Sequence, residues 1–289
     1  MDRDSGNAVA GNIPIYNSLF MHLLKGEFKG CTRKEIIYKN REREKMIEYA
    51  MISEIGEKEN NEDSVRVFVN QPLSTYGFVL ADGLGGYKNG DIASQLVVDC
   101  VGAAIENTNS TEGTFIDECF DTAQKMLMTE KEIKGLPSIK TTMVLLTITE
   151  NIAQWGHIGD SRLYHFRDGK QLSRTIDHSV PQMLVISGKI KEREIRQHPE
   201  RSMLLRAMGA EWDSPAYEID KRSMRVIKGD TFLLCSDGFW EWIDEKMMIK
   251  ILKKELSAYD TLREMTAEVK KNGLGKGMDN FSAILVNVK

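Results

Sequence analysis

Phe78-Val79-Leu80-Ala81-Asp82-Gly83-Leu84-Gly85-Gly86 decides the reading of this chain. Four apolar residues read as a strand, and the run stops at an Asp followed by glycines. The pattern recurs. Phe232-Leu233-Leu234-Cys235 leads into Ser236-Asp237-Gly238, and Trp155-Gly156-His157-Ile158 into Gly159-Asp160-Ser161-Arg162. Near the C-terminus the order reverses: Asp279-Asn280 comes first and the strand Ser282–Val288 follows. In antiparallel neighbours the end of one strand lies beside the start of the next, so Asp82, Asp237 and Asp279 are expected to meet at one rim of a sheet. A lone Asp-Gly at a strand end is a common turn signal. Four such boundaries, with Asn61-Glu62-Asp63 ahead of another strand, describe converging carboxylates. Crowded carboxylates repel, and hard divalent cations with oxygen ligands offset that repulsion. The glycines allow tight turns and a close approach of backbone carbonyls.

Further strands are expected at Tyr49–Ile55, Val65–Val69, Thr141–Thr149 and Arg162–Phe166, several joined by short turns that imply antiparallel pairing. Helical periodicity places helices at Asp91–Asn107 and Thr114–Thr129, and again at Asp244–Leu256 and Asp260–Lys271, each late helix with an Asp as N-cap. Strands in runs with helices in blocks give an α+β class.

The chain has 289 residues, 39 Lys and Arg against 43 Asp and Glu, and a net charge of −4, which disfavours nucleic-acid binding. Cys31, Cys100, Cys119 and Cys235 form no Cys-x-x-Cys pair, as expected of a reduced cytoplasmic protein. The N-terminal residues lack a signal-peptide apolar stretch, and no apolar run is long enough for a membrane span. Residues 1–45 are expected to be an N-terminal extension, a tail or surface helices, and residues 46–289 a single domain.

The ordered set Asn61-Glu62-Asp63, Asp82-Gly83-Leu84-Gly85-Gly86, Thr141-Thr142, Gly159-Asp160-Ser161-Arg162, Asp177-His178-Ser179, Arg206-Ala207-Met208-Gly209, Ser236-Asp237-Gly238 and Asp279-Asn280 resembles the bacterial members of the metal-dependent, type 2C Ser/Thr protein phosphatases. The resemblance implies a four-layer α-β-β-α sandwich of two antiparallel sheets flanked by helices, with a flap at about 180–217. It implies two Mn²⁺ or Mg²⁺ ions and a weaker third site. Asp82 would bridge the two ions and the Gly83 carbonyl would bind one. Asp237 and Asp279 would hold the first, Glu62 would serve the second through water, and Asp63 would orient water. Asp160 with Asp237 would form the third site. A water bridging two ions would attack phosphorus directly. The partners implied are phosphorylated proteins, with an opposing Ser/Thr kinase, and the chain is expected to be a monomer.

Two positions depart from the pattern. Lys58 stands where the family has an Arg that grips the substrate phosphate. It either supplies that charge without the two-pronged grip or is a solvated charge within Glu57-Lys58-Glu59. Tyr87 replaces a His after the glycine pair, and Leu84 stands where some relatives carry a His acid. His157 and His178 are read as structural. No Cys is followed six positions later by Arg, which excludes a cysteine phosphatase. Gly83–Gly90 lacks the Gly-Lys-Ser/Thr of a P-loop. The rival reading is a pseudophosphatase that keeps the fold as a regulatory binding module.

Overall fold

The computed structural model describes residues 46–84, 89–136, 138–220 and 223–289. The expectations for residues 1–45, including Cys31, and for Gly85, Gly86 and Tyr87 lie outside the described residues.

In chain order the elements are β1 (Ile47–Glu54), β2 (Asp63–Asn70), β3 (Thr75–Asp82), α1 (Gly90–Asn107), α2 (Phe115–Lys134), β4 (Met143–Thr149), β5 (Ile152–Ile158), β6 (Arg162–Arg167) and β7 (Lys170–Arg174). There follow α3 (Val180–Ile186), a 3₁₀ turn (Glu192–Gln197), β8 (Glu218–Ile219), β9 (Met224–Arg225), β10 (Asp230–Cys235), α4 (Asp237–Trp240), α5 (Glu245–Leu252), α6 (Ala258–Gly273) and β11 (Phe281–Val288). One sheet runs β1-β11-β10-β6-β7. The other runs β2-β3-β4-β5-β8, with β9 also on β5. Every pairing is antiparallel.

The continuous apolar runs follow from burial on both faces. On β3, Phe78 and Leu80 join Val144 and Leu146 in the core between the sheets, facing Leu163, Phe232, Leu234 and Ile284. Their neighbours Val79 and Ala81 point the other way and pack on Val97, Val101 and Phe120 of α1 and α2. The other sheet repeats this: Leu233, Cys235 and Leu285 lie against Trp240, Met248, Leu262 and Met265. Three apolar layers between four structural layers make the expected α-β-β-α sandwich. Each fully buried Leu or Phe contributes about 1.5–3 kcal/mol of transfer free energy.

Several expectations need correction. The last helix begins at Ala258, not Asp260, because Ser257 is the N-cap: its Oγ accepts from the Asp260 N–H at 3.1 Å. Asp244 does cap α5, its Oδ1 accepting from the Met247 N–H at 2.8 Å. Thr141 precedes its strand and forms isolated bridges to Gly83 and Met208. Strand β7 and the two-residue strands β8 and β9 were not legible, since their polar edge positions carry little apolar signal. The expected flap, 180–217, contains α3 and the 3₁₀ turn and returns through β8. No described helix is long and apolar enough to cross a membrane.

Candidate functional site

The predicted carboxylates lie where the ends of the two sheets approach each other, which corrects the single-sheet expectation. Asp82 ends β3, in register with Asp63 at the start of β2. Asp237 and Asp279 flank the β10–β11 pair of the other sheet. A single sheet cannot supply all of them, because β3 and β10 are in different layers. The convergence therefore depends on sheet stacking, which strand-end logic alone does not fix.

Local bonding holds each acid in place. The Asp82 backbone is clamped by Thr141 and Thr142. The Asp82 carbonyl accepts from Thr141 Oγ1 (2.8 Å) and the Thr142 N–H (2.8 Å), and its N–H donates to Thr142 Oγ1 (3.0 Å). Asp237 opens α4, and Gly238 beside it has no space for a side chain: a Cβ there would stand 2.1 Å from the Asn280 carbonyl oxygen. That contact sets the Asp237 and Asp279 turns side by side. Asn280 binds the third segment. Its Oδ1 accepts from the Glu62 N–H at 2.8 Å, and its Nδ2 donates to the carbonyls of Ile55 and Asn60. Gly83 meets a similar limit, since a Cβ would lie 2.2 Å from the Gly90 carbonyl oxygen.

The electrostatics are those of uncompensated acids. Burial first, then the charges of Asp63, Asp237, Asp160 and Asp279, push the Asp82 carboxyl well above its ordinary range. Asp237 carries a hydrogen bond to Asp82, yet burial and the Asp279 charge raise it too. Asp160 is raised by burial and by Asp237 and Asp177, against the pull of Arg162. Burial pushes Asp63 up to about 7, although Ser282 and Ser236 hydrogen bonds oppose the shift. Its Oδ2 accepts from Ser236 Oγ at 2.9 Å, while Oδ1 is buried without a partner. Glu62 is raised by burial and by Asp91 and Asp279. Lys58 Nζ lies 2.7 Å from Asp279 Oδ2, with both side chains well exposed.

The residues fit hard divalent cations. The donors are carboxylate oxygens and a backbone carbonyl, the set such ions prefer. An orphaned buried oxygen on Asp63 and mutual repulsion among four acids are the features that positive charge would relieve. The sequence reading missed Asp91, Ser236, Arg201 and the fastening role of Asn280. Asn280 and Ser236 sat inside quoted motifs, and Asp91 read only as the start of a helix.

A second group, His157, His178 and Glu218, brings donor atoms within 4.8 Å of one another. The imidazoles stack at 4.7 Å with 14° between their planes. Lone pairs lie in the ring planes, and nearly parallel planes do not meet on one ion. Hydrogen bonds engage one nitrogen of each ring, while His178 Nε2 is buried without a hydrogen-bond partner 3.4 Å from Glu218 Oε1. His157 Nε2 donates to the Ile176 carbonyl (2.8 Å), and the Gly159 N–H donates to His178 Nδ1 (3.2 Å), leaving the His178 proton on Nε2. Cys100, Cys119 and Cys235 are free, buried and pushed up by burial, Cys100 to about 12, so none is poised as a nucleophile.

A protein phosphatase 2C family model matches residues 52–281. The serine/threonine phosphatase stp of Listeria innocua is 32% identical over 242 residues, covering 79% of this chain and 90% of its own. The crystal structure of the serine/threonine phosphatase Stp1 from Staphylococcus aureus superposes with a TM-score of 0.76 at 26% identity, covering 87% of this chain and 100% of the other. The catalytic domain of the serine/threonine protein phosphatase PstP, solved with two manganese ions, gives 0.70 at 26% identity, covering 83% and 97%. The family model spans most of the chain and the layered sheets superpose on solved members, so the chain belongs to the protein phosphatase 2C family.

Proposed function

We propose that residues 46–289 form a single metal-dependent phosphatase domain that hydrolyses phosphoserine and phosphothreonine in other proteins, opposing a Ser/Thr kinase in the cytoplasm and acting as a monomer. The observation that carries this is the crowding of Asp63, Asp82, Asp160 and Asp237, all raised although Arg162 acts on Asp160 and Arg201 on Asp237. Manganese in the PstP structure supports Mn²⁺, or the similarly hard Mg²⁺, as the occupant.

In this reading Asp82, Asp237, Asp279 and the Gly83 carbonyl would hold two ions, Glu62 would serve one through water, and Asp160 with Asp237 would hold a weaker third. When bound, the ions lower the proton affinity of a water and neutralise charge on the phosphoryl oxygens. The protein's part is positioning. Asp63, fixed through Oδ2 by Ser236, turns its unpartnered Oδ1 to accept a hydrogen bond from the attacking water, which orients the lone pair toward phosphorus. Lys58 moves from Asp279 to the substrate phosphate. Attack in line with the departing Ser or Thr oxygen yields the alcohol and inorganic phosphate with no covalent enzyme intermediate. A silent binding module would be marked by loss of the carboxylates, and all of them are present.

Hydrolysis of p-nitrophenyl phosphate with Mn²⁺, with EDTA and with Asp237→Ala tests the reading. Activity should need the metal and fall by roughly 10³-fold in the variant, the scale on which removal of transition-state charge stabilisation acts. Metal-independent turnover, or an Asp237→Ala enzyme as active as the parent, sinks it.

A further inference from the structure

A cavity of about 530 Å³ opens between the flap and the C-terminal helices, walled by Arg196, Arg201, Glu241, Trp242, Glu268 and Lys276 among others. Its size is that of a ligand site. Its acids are already neutralised. Glu241 Oε1 lies 2.8 Å from Arg201 Nε, Glu268 pairs with Lys271, and Asp244 caps α5. Arg196 is likewise used, on Glu245 and the Ile243 carbonyl. Two cations remain underused. Lys276 Nζ lies 5.4 Å from the Trp242 ring centre and has no anionic partner among the described residues. The Arg201 Nε stands 2.8 Å from Glu241 Oε1 as an ion pair without hydrogen-bond geometry, and its guanidinium makes no side-chain hydrogen bond among the described residues. A half-satisfied guanidinium fork beside an unpaired ammonium is a receptor for a carboxylate.

The cavity lies close to the metal-binding acids. Asp237 opens α4 and Glu241 closes it, the Glu241 N–H donating to the Asp237 carbonyl at 2.9 Å. One helical turn spans about 5.4 Å, and an extended peptide advances about 3.3–3.6 Å per residue. A side chain about two or three positions from a phosphoresidue held at Asp237 therefore reaches the cavity. Resting on the phosphatase reading, we propose that this cavity is a specificity subsite that binds an acidic side chain of the substrate peptide near the phosphoresidue, through Lys276 and the open edge of Arg201.

The test uses the full chain with Mn²⁺ and a set of phosphothreonine peptides in which Glu replaces Ala at each of the three positions on either side. One or more Glu peptides should be preferred by about tenfold in kcat/KM, the gain expected of one charge-assisted contact. The gain should lie in KM. Lys276→Glu should abolish it, while hydrolysis of p-nitrophenyl phosphate stays unchanged, because exposed Lys276 touches no predicted metal ligand. Equal rates across the peptides, or a preference that survives Lys276→Glu, overturns the proposal alone. No metal-dependent hydrolysis of any substrate removes the phosphatase reading and the proposal with it. A free dicarboxylate such as glutarate altering p-nitrophenyl phosphate turnover without any peptide preference overturns the subsite in favour of a small-anion site.

Discussion

Among the described residues, two groups of buried charge are built on opposite rules. In the first, Arg162 and Asp177 are each 1% exposed and face each other with two hydrogen bonds, Nε to Oδ1 at 2.9 Å and Nη2 to Oδ2 at 2.6 Å. Tyr164 takes a third N–H, and the guanidinium lies 3.6 Å over the Trp240 ring. Burial alone would push the Asp177 carboxyl up, but the Arg162 charge and hydrogen bonds hold it below its ordinary value. In the second, Asp63, Asp82, Asp160 and Asp237 are all raised, with burial as the leading cause and like charge adding to it. The first group is finished by protein atoms. The second is finished only by something the chain does not encode, and that difference separates a structural device from a site. The two touch at Trp240, whose Nε1 donates to the Asp160 carbonyl at 3.0 Å.

The largest effect should come from breaking the finished group. Arg162→Met leaves the buried Asp177 carboxylate with Arg174 as its one ion-pair partner among the described residues. Loss of one partner of a buried pair costs about 3–5 kcal/mol. For a domain of this size that lowers Tm by about 10 °C. The double variant Arg162→Met/Asp177→Leu should recover most of the loss, because Arg174 keeps Glu192 and Gln182 as partners and no buried charge is left stranded. A single variant as stable as the parent would mean that solvent reaches this pair, and the contrast between the two groups would be lost.

The second effect has the opposite sign with pH. The acids of the unfinished group have folded values above the unfolded value of 3.8, Asp63 reaching about 7. The folded state therefore holds extra protons. The stability they confer is fully present below about pH 4 and is lost as pH rises through about 7. The Tm of metal-free protein should fall by about 5 °C between pH 5 and pH 8. Mn²⁺ displaces those protons, so the Tm gain on adding it should grow over the same interval. Calorimetry at matched ionic strength with and without EDTA measures both. A metal-free Tm that climbs toward pH 8 would show the carboxylates to be compensated within the protein.

How much of this was legible in the sequence follows the same division. The β3 strand was legible because cover on both faces makes its run continuously apolar, and Asp82 marked its end. Glu62, Asp237 and Asp279 were readable because their motifs sit at turns with fixed local chemistry. That Asp82 and Asp237 would meet was expected from the strand ends, but that they do so across two sheets was not, since it depends on how layers stack and not on any spacing along the chain. Asp91 and Arg201 were hidden for a related reason. Each acts on an acid that is remote in sequence, on Glu62 and on Asp237 respectively, and neither lies in a recurring pattern. The Ser257 cap escaped because Asp260 offers the same signal three residues later, and only the backbone path decides between them.

The smallest effect concerns Lys58, the cation seated directly on the rim of the unfinished group. Its contact with Asp279 is exposed, 47% and 40% for the two side chains, so it adds no more than about 1 kcal/mol to stability. Lys58→Arg should leave Tm within about a degree. If Lys58 grips the phosphate, Arg restores a two-pronged contact and lowers KM for a phosphopeptide by about two- to fivefold, while Lys58→Ala raises it by a similar factor. If Lys58 serves only as a partner for Asp279, Lys58→Ala frees that carboxylate, tightens Mn²⁺ activation and leaves KM alone. Measuring KM and the Mn²⁺ activation constant on the same variants separates the two roles. The outcome decides whether this lysine belongs to the chemistry or completes one small edge of a cluster otherwise left to metal.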